Sequence, residues 1–235
     1  MSTTPRLSAI VPCFNQGRYI NFSINSITNQ TIPVDEIIIV DDGSTDTQTT
    51  AWIKSYNHPN VKIVSQKNSG PATARNNGYK YCNGDYILLL DADDMFERTF
   101  VEKACNVLCK HPEVGAVSSH VLKFGDQDYT WHPTGGDVAG FMLGINSVAC
   151  GLIRRTAWDS AHGFNSDMRD GYEDWDFWLR ITKAGWLVHI LPEILFYYRA
   201  KKESRVVDTI RKHKDLYRQI RFNHPDIFSK YFEEN

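Results

Sequence analysis

Three carboxylates stand within four residues at the end of LLLDADD (Leu88–Asp94), and they follow a run of apolar residues. Two carboxylates at i and i+2, where a buried strand exits, can project near one another. Such a pair, Asp91 and Asp93, suits a hard divalent cation that also accepts oxygens from a diphosphate. The plainer reading is a solvated turn, with Asp94 capping a helix that starts near Phe96. A second apolar run, EIIIVDD (Glu36–Asp42), also ends on two aspartates. A third acidic group, Glu173, Asp174 and Asp176, lies in GYEDWDFWLR (Gly171–Arg180). Those acids are either reactive groups or a charged first helical turn favoured by the helix dipole.

The elements around these residues follow from hydrophobic patterning. LSAIVPCF (Leu7–Phe14), Glu36–Asp42, VKIVSQ (Val61–Gln66) and DYILLLDADD (Asp85–Asp94) are β-rich runs. They alternate with helical segments over residues 18–29, after GSTD through Ile53, and from Pro71. Ser44 or Asp46 is placed to cap the second helix, and Pro71 suits the first turn of the third. Strand–helix alternation predicts an α/β fold with a mostly parallel sheet, in which ligands bind outside the carboxyl ends of the strands. Those ends carry Asn15, Asp41, Asp42, Asn68, Asp91, Asp93 and Asp94. Past Val114 the pattern changes. VGAVSSHVLKF and YTWH read as antiparallel strands, Gly135–Gly144 as a mobile glycine-rich stretch, and Val148–Ile153 as a further strand. GYEDWDFWLRITKAGW reads as a helix, WLVHILPEILFYYR as two short strands broken at Pro192, and the tail from Val206 as helical. No repeat or linker is visible. The expectation is one domain over 1–235, with a nucleotide-binding half (1–113), an acceptor-binding half (114–205) and a helical tail (206–235).

Composition narrows the class. A net charge of −2 offers no global field for nucleic acid. Five cysteines, an odd number without a CxxC pair, read as reduced thiols, and Cys105 with Cys109 as core packing rather than a metal site. The opening MSTTPRLSAIVP lacks the shape of a signal peptide, and no apolar stretch approaches a membrane span. A cytoplasmic placement is expected, with peripheral association at the inner membrane face as a variant of it.

The set AIVPCFN, IIIVDDGSTD, NSGPATARNNG, LLLDADD and GYEDWDFWLR, in this order, closely resembles the inverting family-2 glycosyltransferases with the GT-A fold. The resemblance covers roughly residues 7–200, and five motifs in order are far more specific than any one. It implies transfer of a sugar from a nucleotide diphosphate donor, usually of uridine, to a hydroxyl on a growing or lipid-linked glycan. It assigns Pro12, Cys13 and Asn15 to the nucleotide pocket, and Asp42 or Asp41 to the base or ribose. Asn68, Gly70 and Arg75 fall near the nucleoside, with Arg75 equally able to pair with an aspartate of the same edge. Asp91, Ala92 and Asp93 match the metal-binding motif for Mn2+ or Mg2+, with Asp93 the better ligand. Asp174 matches the general base, and Glu173 a residue binding acceptor or donor hydroxyls. Trp175 either stacks on an acceptor sugar or belongs to the core.

One departure stands out. Members often carry Tyr-Arg-x-His after the last strands, with the histidine completing the metal shell. The matching stretch here is Tyr198-Arg199-Ala200-Lys201. A protonated lysine cannot ligate a cation but can neutralise a diphosphate. Arg199, Lys201, Lys202 and Arg205 could close over the leaving group or form a solvated loop. His189 is expected to be structural. A nucleotidyltransferase would need a glycine-rich basic loop after the first strand, which VPCFNQG does not supply. A non-catalytic binding module would predict degraded acidic motifs. Donor sugar, acceptor and linkage are not encoded legibly, and specificity is expected to rest on residues 120–175.

Overall fold

Four short apolar runs become the parallel strands β1 (Leu7–Cys13), β2 (Glu36–Asp41), β3 (Val61–Ser65) and β4 (Tyr86–Leu89) in a computed structural model, which describes residues 5–202, 209 and 211–232. The near-continuous burial of β1, β2 and β4 is what a sheet covered on both faces demands, while β3, at the edge of the sheet, is only partly buried. The remaining strands are β5 (Met95–Phe96), β6 (Val114–Gly125), β7 (Tyr129–Trp131), β8 (Gly151–Arg154) and β9 (Leu187–Ala200). One sheet runs in the order β3-β2-β1-β4-β8-β6-β9-β5, with β7 paired to β6. β8 is antiparallel to both β4 and β6, while β9 is parallel to β6. β4, β6 and β9 therefore point the same way, and β9 ends at the edge where β1, β2 and β4 end.

Helices cover both faces. Leu7, Ala9, Val11, Ile37 and Ile39 face one side with α1 (Ile20–Thr28) and α4 (Phe100–Lys110). Ile10, Ile38, Val40, Ile87 and Leu89 face the other. That second face holds α3 (Pro71–Tyr79), α5 (Val138–Met142), α6 (Arg155–Ser160), α7 (Glu173–Lys183), α8 (His213–Asn223) and α9 (Pro225–Phe232). Gly78 lets α3 approach closely: a Cβ there would stand 2.7 Å from a methyl of Ile10. α2 (Thr47–Ser55) starts at Asp46, whose carboxylate accepts from Thr49 N–H, so Asp46 rather than Ser44 is the cap.

Several expectations are corrected. Pro192 does not break the last run, because β9 is continuous from Leu187 to Ala200. The register jumps from Ser119↔Leu191 to His120↔Ile194, so Pro192 and Glu193 sit in a bulge, where a residue without an N–H is tolerated. Asp94 caps no helix: Met95–Phe96 is strand, and the next helix begins at Phe100. The glycine-rich stretch contains a short helix capped by Asp137, whose carboxylate accepts from Ala139 and Gly140 N–H. β8 starts at Gly151 rather than Val148. β6 and β7 do pair antiparallel. No helix among the described residues is long and apolar enough to cross a membrane.

Candidate active site

Register aligns the strand ends. Cys13 pairs with Asp41, and Asp41 with Ser65, so the exits of β1, β2 and β3 form one row. The Cys13 side chain points into the core, where burial pushes its thiol up to about 12. Its backbone, with Pro12, is what it can offer a ligand. Asn15 adopts φ 55°, and its side-chain oxygen accepts from the backbone N–H groups of Thr45 and Asp46 (2.8 and 3.2 Å). It ties the β1–α1 loop to the GSTD turn.

Asp42 is buried. Its Oδ1 accepts from Gln66 Nε2 and Ser69 N–H (both 2.7 Å), and its Oδ2 from Gly70 N–H (2.9 Å). That carboxylate holds the NSG segment against β2. Asp41, also buried, accepts from Ser44 N–H (3.0 Å) and ends β2 in the same row as Cys13 and Ser65. Gly70 has φ 86° and ψ 164°, a region essentially closed to L-residues, and a Cβ there would meet nothing within 4 Å. Its requirement is conformational: it turns the chain into α3 while its N–H reaches Asp42. Asn68 is exposed beside this turn.

Arg75 is buried, and this decides between its two readings. Its Nη2 lies 2.9 Å and 3.2 Å from the two Asp91 oxygens, and its Nη1 lies 3.1 Å from Glu173 Oε1. Burial disfavours its charge, but Asp91 and Glu173 outweigh that and hold the guanidinium protonated. Arg75 therefore couples the exit of β4 to the start of α7 through Glu173 Oε1.

α7 presents its three acids in three environments. Glu173 pairs with Arg75. Asp176 is fully buried, accepting from Asn223 Nδ2 (2.8 Å) and contacting His224 Nε2 (3.1 Å), with Arg180 Nε 2.9 Å from its other oxygen. Burial alone would raise its carboxyl, yet His224, Arg180 and Asn223 hold it below the usual range. Asp174 is part-exposed, its Oδ1 accepting from Trp175 N–H (2.8 Å). Tyr172, in the left-handed region at φ 58°, turns the chain into the helix, and its hydroxyl meets His213 Nδ1 at 2.6 Å. Trp175 is 2 % exposed, and its indole N–H donates to the Phe141 carbonyl (2.6 Å). It is a core residue, so the stacking reading is set aside.

The basic cluster divides. Arg199 Nε donates to the Asp93 carbonyl (3.0 Å), and its guanidinium lies between Tyr19 and Phe124, 4.6 and 4.5 Å from their ring centres. Its backbone N–H donates to buried Asp94 (2.8 Å). Burial and the neighbouring Asp93 and Asp91 push the Asp94 carboxyl well up. Lys202 uses its backbone N–H on Asp126, and Arg205 lies outside the described residues. Lys201 alone of the described members enters the site, its Nζ 2.5 Å from Asp93 Oδ2 and 3.1 Å from Gln16 Oε1.

A divalent cation held by Asp91 and Asp93 does not fit this donor set. Both oxygens of Asp91 face Arg75, and Asp93 faces Lys201. Among the described residues, the one group of three possible ligands is Asp91, Asp94 and Cys150, which omits Asp93. Burial, then Asp91 and Asp94, keep the Cys150 thiol protonated. A neutral sulfur is a poor donor for Mn2+ or Mg2+, which favour oxygen.

Sequence reasoning missed Gln16, Gln66, Cys150 and the Asn223–His224 pair. Gln16 lies one residue beyond the marked AIVPCFN motif, and Gln66 is the last residue of the marked run VKIVSQ. The others come from strands and helices distant in the chain, and no local pattern announces them.

The profile of the family described as Glycosyl transferase family 2 matches residues 8–169, a stretch that ends just before α7. A chondroitin synthase of Escherichia coli is 30% identical over 200 residues, which is 81% of this chain but 28% of that protein. The chain thus spans under a third of that relative. S. aureus TarS, solved with UDP-GlcNAc, superposes with TM-score 0.74 at 19% identity, covering 93% of this chain and 66% of that one. A mannosyltransferase from Pyrobaculum calidifontis, solved with GDP-Man and Mn2+, gives TM-score 0.67 at 21% identity, over 90% and 61%. These structures share the α/β architecture with its mostly parallel sheet, which is the GT-A fold. The matched profile, spanning most of the nucleotide-side motifs and strands, places this chain in glycosyl transferase family 2.

Proposed function

We propose that this chain transfers a hexose or N-acetylhexosamine from a nucleoside diphosphate sugar, a UDP-sugar first among them, to a hydroxyl of a growing glycan, with inversion. Family membership supports sugar transfer, and TarS with UDP-GlcNAc and the chondroitin synthase support the donor class by likeness. The observation that supports the reading is the Asp91–Arg75–Glu173 bridge, which ties the start of α7, the helix that carries the part-exposed Asp174, to the exit of β4.

The chemistry asks little else of the protein. The acceptor oxygen attacks the anomeric carbon while the Asp174 carboxylate takes its proton. The bond from that carbon to the phosphate oxygen breaks, and its electron pair leaves on the nucleoside diphosphate. A single displacement from the opposite face inverts the centre. Asp41 and the backbone at Pro12 and Cys13 line the nucleoside side, with Asn68 and Gly70 flanking. Glu173 and Arg75 position α7 rather than touch substrate.

The test is a panel of nucleotide sugars incubated with the purified chain, reading release of the nucleoside diphosphate. Release from at least one UDP-sugar, stimulated by a glycan acceptor, is expected. No release from any donor, together with no binding of any nucleoside diphosphate, would overturn the proposal.

A further inference from the structure

A departing nucleoside diphosphate gathers negative charge that a fixed cation can offset. We propose that the Lys201 ammonium takes that role, so that donor binding is independent of a divalent metal; this rests on the nucleotide-sugar reading above. Three observations carry it. First, Lys201 lies where β9 exits at the same edge as β4, because β6 and β9 run parallel to each other and both oppose β8. Its position is thus fixed by strand direction rather than by loop chance. Second, its Nζ is seated against Asp93 at 2.5 Å and Gln16 at 3.1 Å, with a side chain 24 % exposed. It is oriented toward the edge instead of trailing into solvent. Third, both oxygens of Asp91 face Arg75 and Asp93 Oδ2 faces Lys201, so the pair does not present its oxygens jointly to a dication.

An ammonium has three N–H donors and no lone pair when charged. Asp93 and Gln16 use two, leaving one to point at a phosphate oxygen. A lysine acts on phosphate as a point charge. That would stabilise the charge gathering on the departing diphosphate, without a metal shell to assemble. Asp93 would then orient Lys201 rather than ligate a metal.

The experiment is calorimetric titration of the full chain with UDP and with uridine, in EDTA and in Mn2+. Wild type is expected to bind UDP within a few-fold equally in both. Lys201→Met is expected to weaken UDP by about tenfold to a hundredfold, the worth of one hydrogen bond to a charged group, and to leave uridine unchanged. Lys201→Arg, which keeps the charge, should restore most of the loss. Lys201→His should bring Mn2+ dependence to UDP binding. UDP binding by wild type only in Mn2+ would overturn this inference and leave the nucleotide-sugar reading standing. Equal loss for UDP and uridine in Lys201→Met, with no rescue by arginine, would overturn the phosphate contact. No binding of UDP in either buffer would remove both.

Discussion

Arg75 and Glu173 are 98 residues apart in sequence and 3.1 Å apart in space, and the same guanidinium holds Asp91 at 2.9 Å. One buried cation therefore sets the start of α7 against the exit of β4. Removing it strands two carboxylates, which typically costs about 3–5 kcal/mol for a buried pair. Arg75→Met is expected to lower the melting temperature by roughly 6–20 °C for a chain of this size. Combining it with Glu173→Gln should recover part of the loss, because one uncompensated charge is gone. Thermal melts of the two single variants and the double check this. Strict additivity would show that the bridge carries no coupling.

The turn at Gly70 makes a separable prediction. Gly70→Ala meets no steric contact, so its cost is backbone strain alone, of order 1–3 kcal/mol. Because Gly70 N–H is anchored on Asp42, the strain should also weaken UDP binding. Asp42→Ala releases three donors at once and is expected to weaken UDP further. Unchanged UDP affinity in both variants would show that the NSG segment lies away from the nucleoside.

The C-terminal helices are pinned to α7 through Asp176. Its folded-state pKa is depressed, so its stabilisation is fully present above the ordinary carboxylate pKa, about 3.9, and is lost as pH falls through the lower folded value. Wild type should lose this contribution only below about pH 4. Asp176→Asn should be less stable at pH 7, and the gap between the two proteins should narrow as pH approaches 3. Thermal melts from pH 7 to 3 measure it. A constant gap would show that Asp176 is not held as a carboxylate.

Much of this was legible in the sequence because apolar runs ending on aspartates leave little freedom. Leu7–Cys13, Glu36–Asp41 and Tyr86–Leu89 are strands, and their polar ends share an edge. Which aspartate does what was not legible. Asp41 and Asp42 are adjacent, and only the return of Gln66 and Gly70 shows which of them anchors the NSG segment. Trp175 shared its helical spacing with Trp178, and periodicity alone could not separate a sugar platform from a core residue packed under α5. Pro192 read as a break because a bulge is a property of two strands, and its partner β6 lies some seventy residues upstream. Lys201 was visible as a departure, but its target was fixed only by the direction of β9.

The central claim is that Asp174 takes the acceptor proton, and one pair of rates tests it. Asp174→Asn keeps the size of the side chain and its contact to Trp175 N–H but cannot accept a proton. Since general-base catalysis is worth about 10²–10⁴-fold, kcat at saturating donor and acceptor should fall by that order. The affinity for UDP should stay within a few-fold, because the base faces the acceptor. Turnover of Asp174→Asn within a few-fold of wild type would contradict the account.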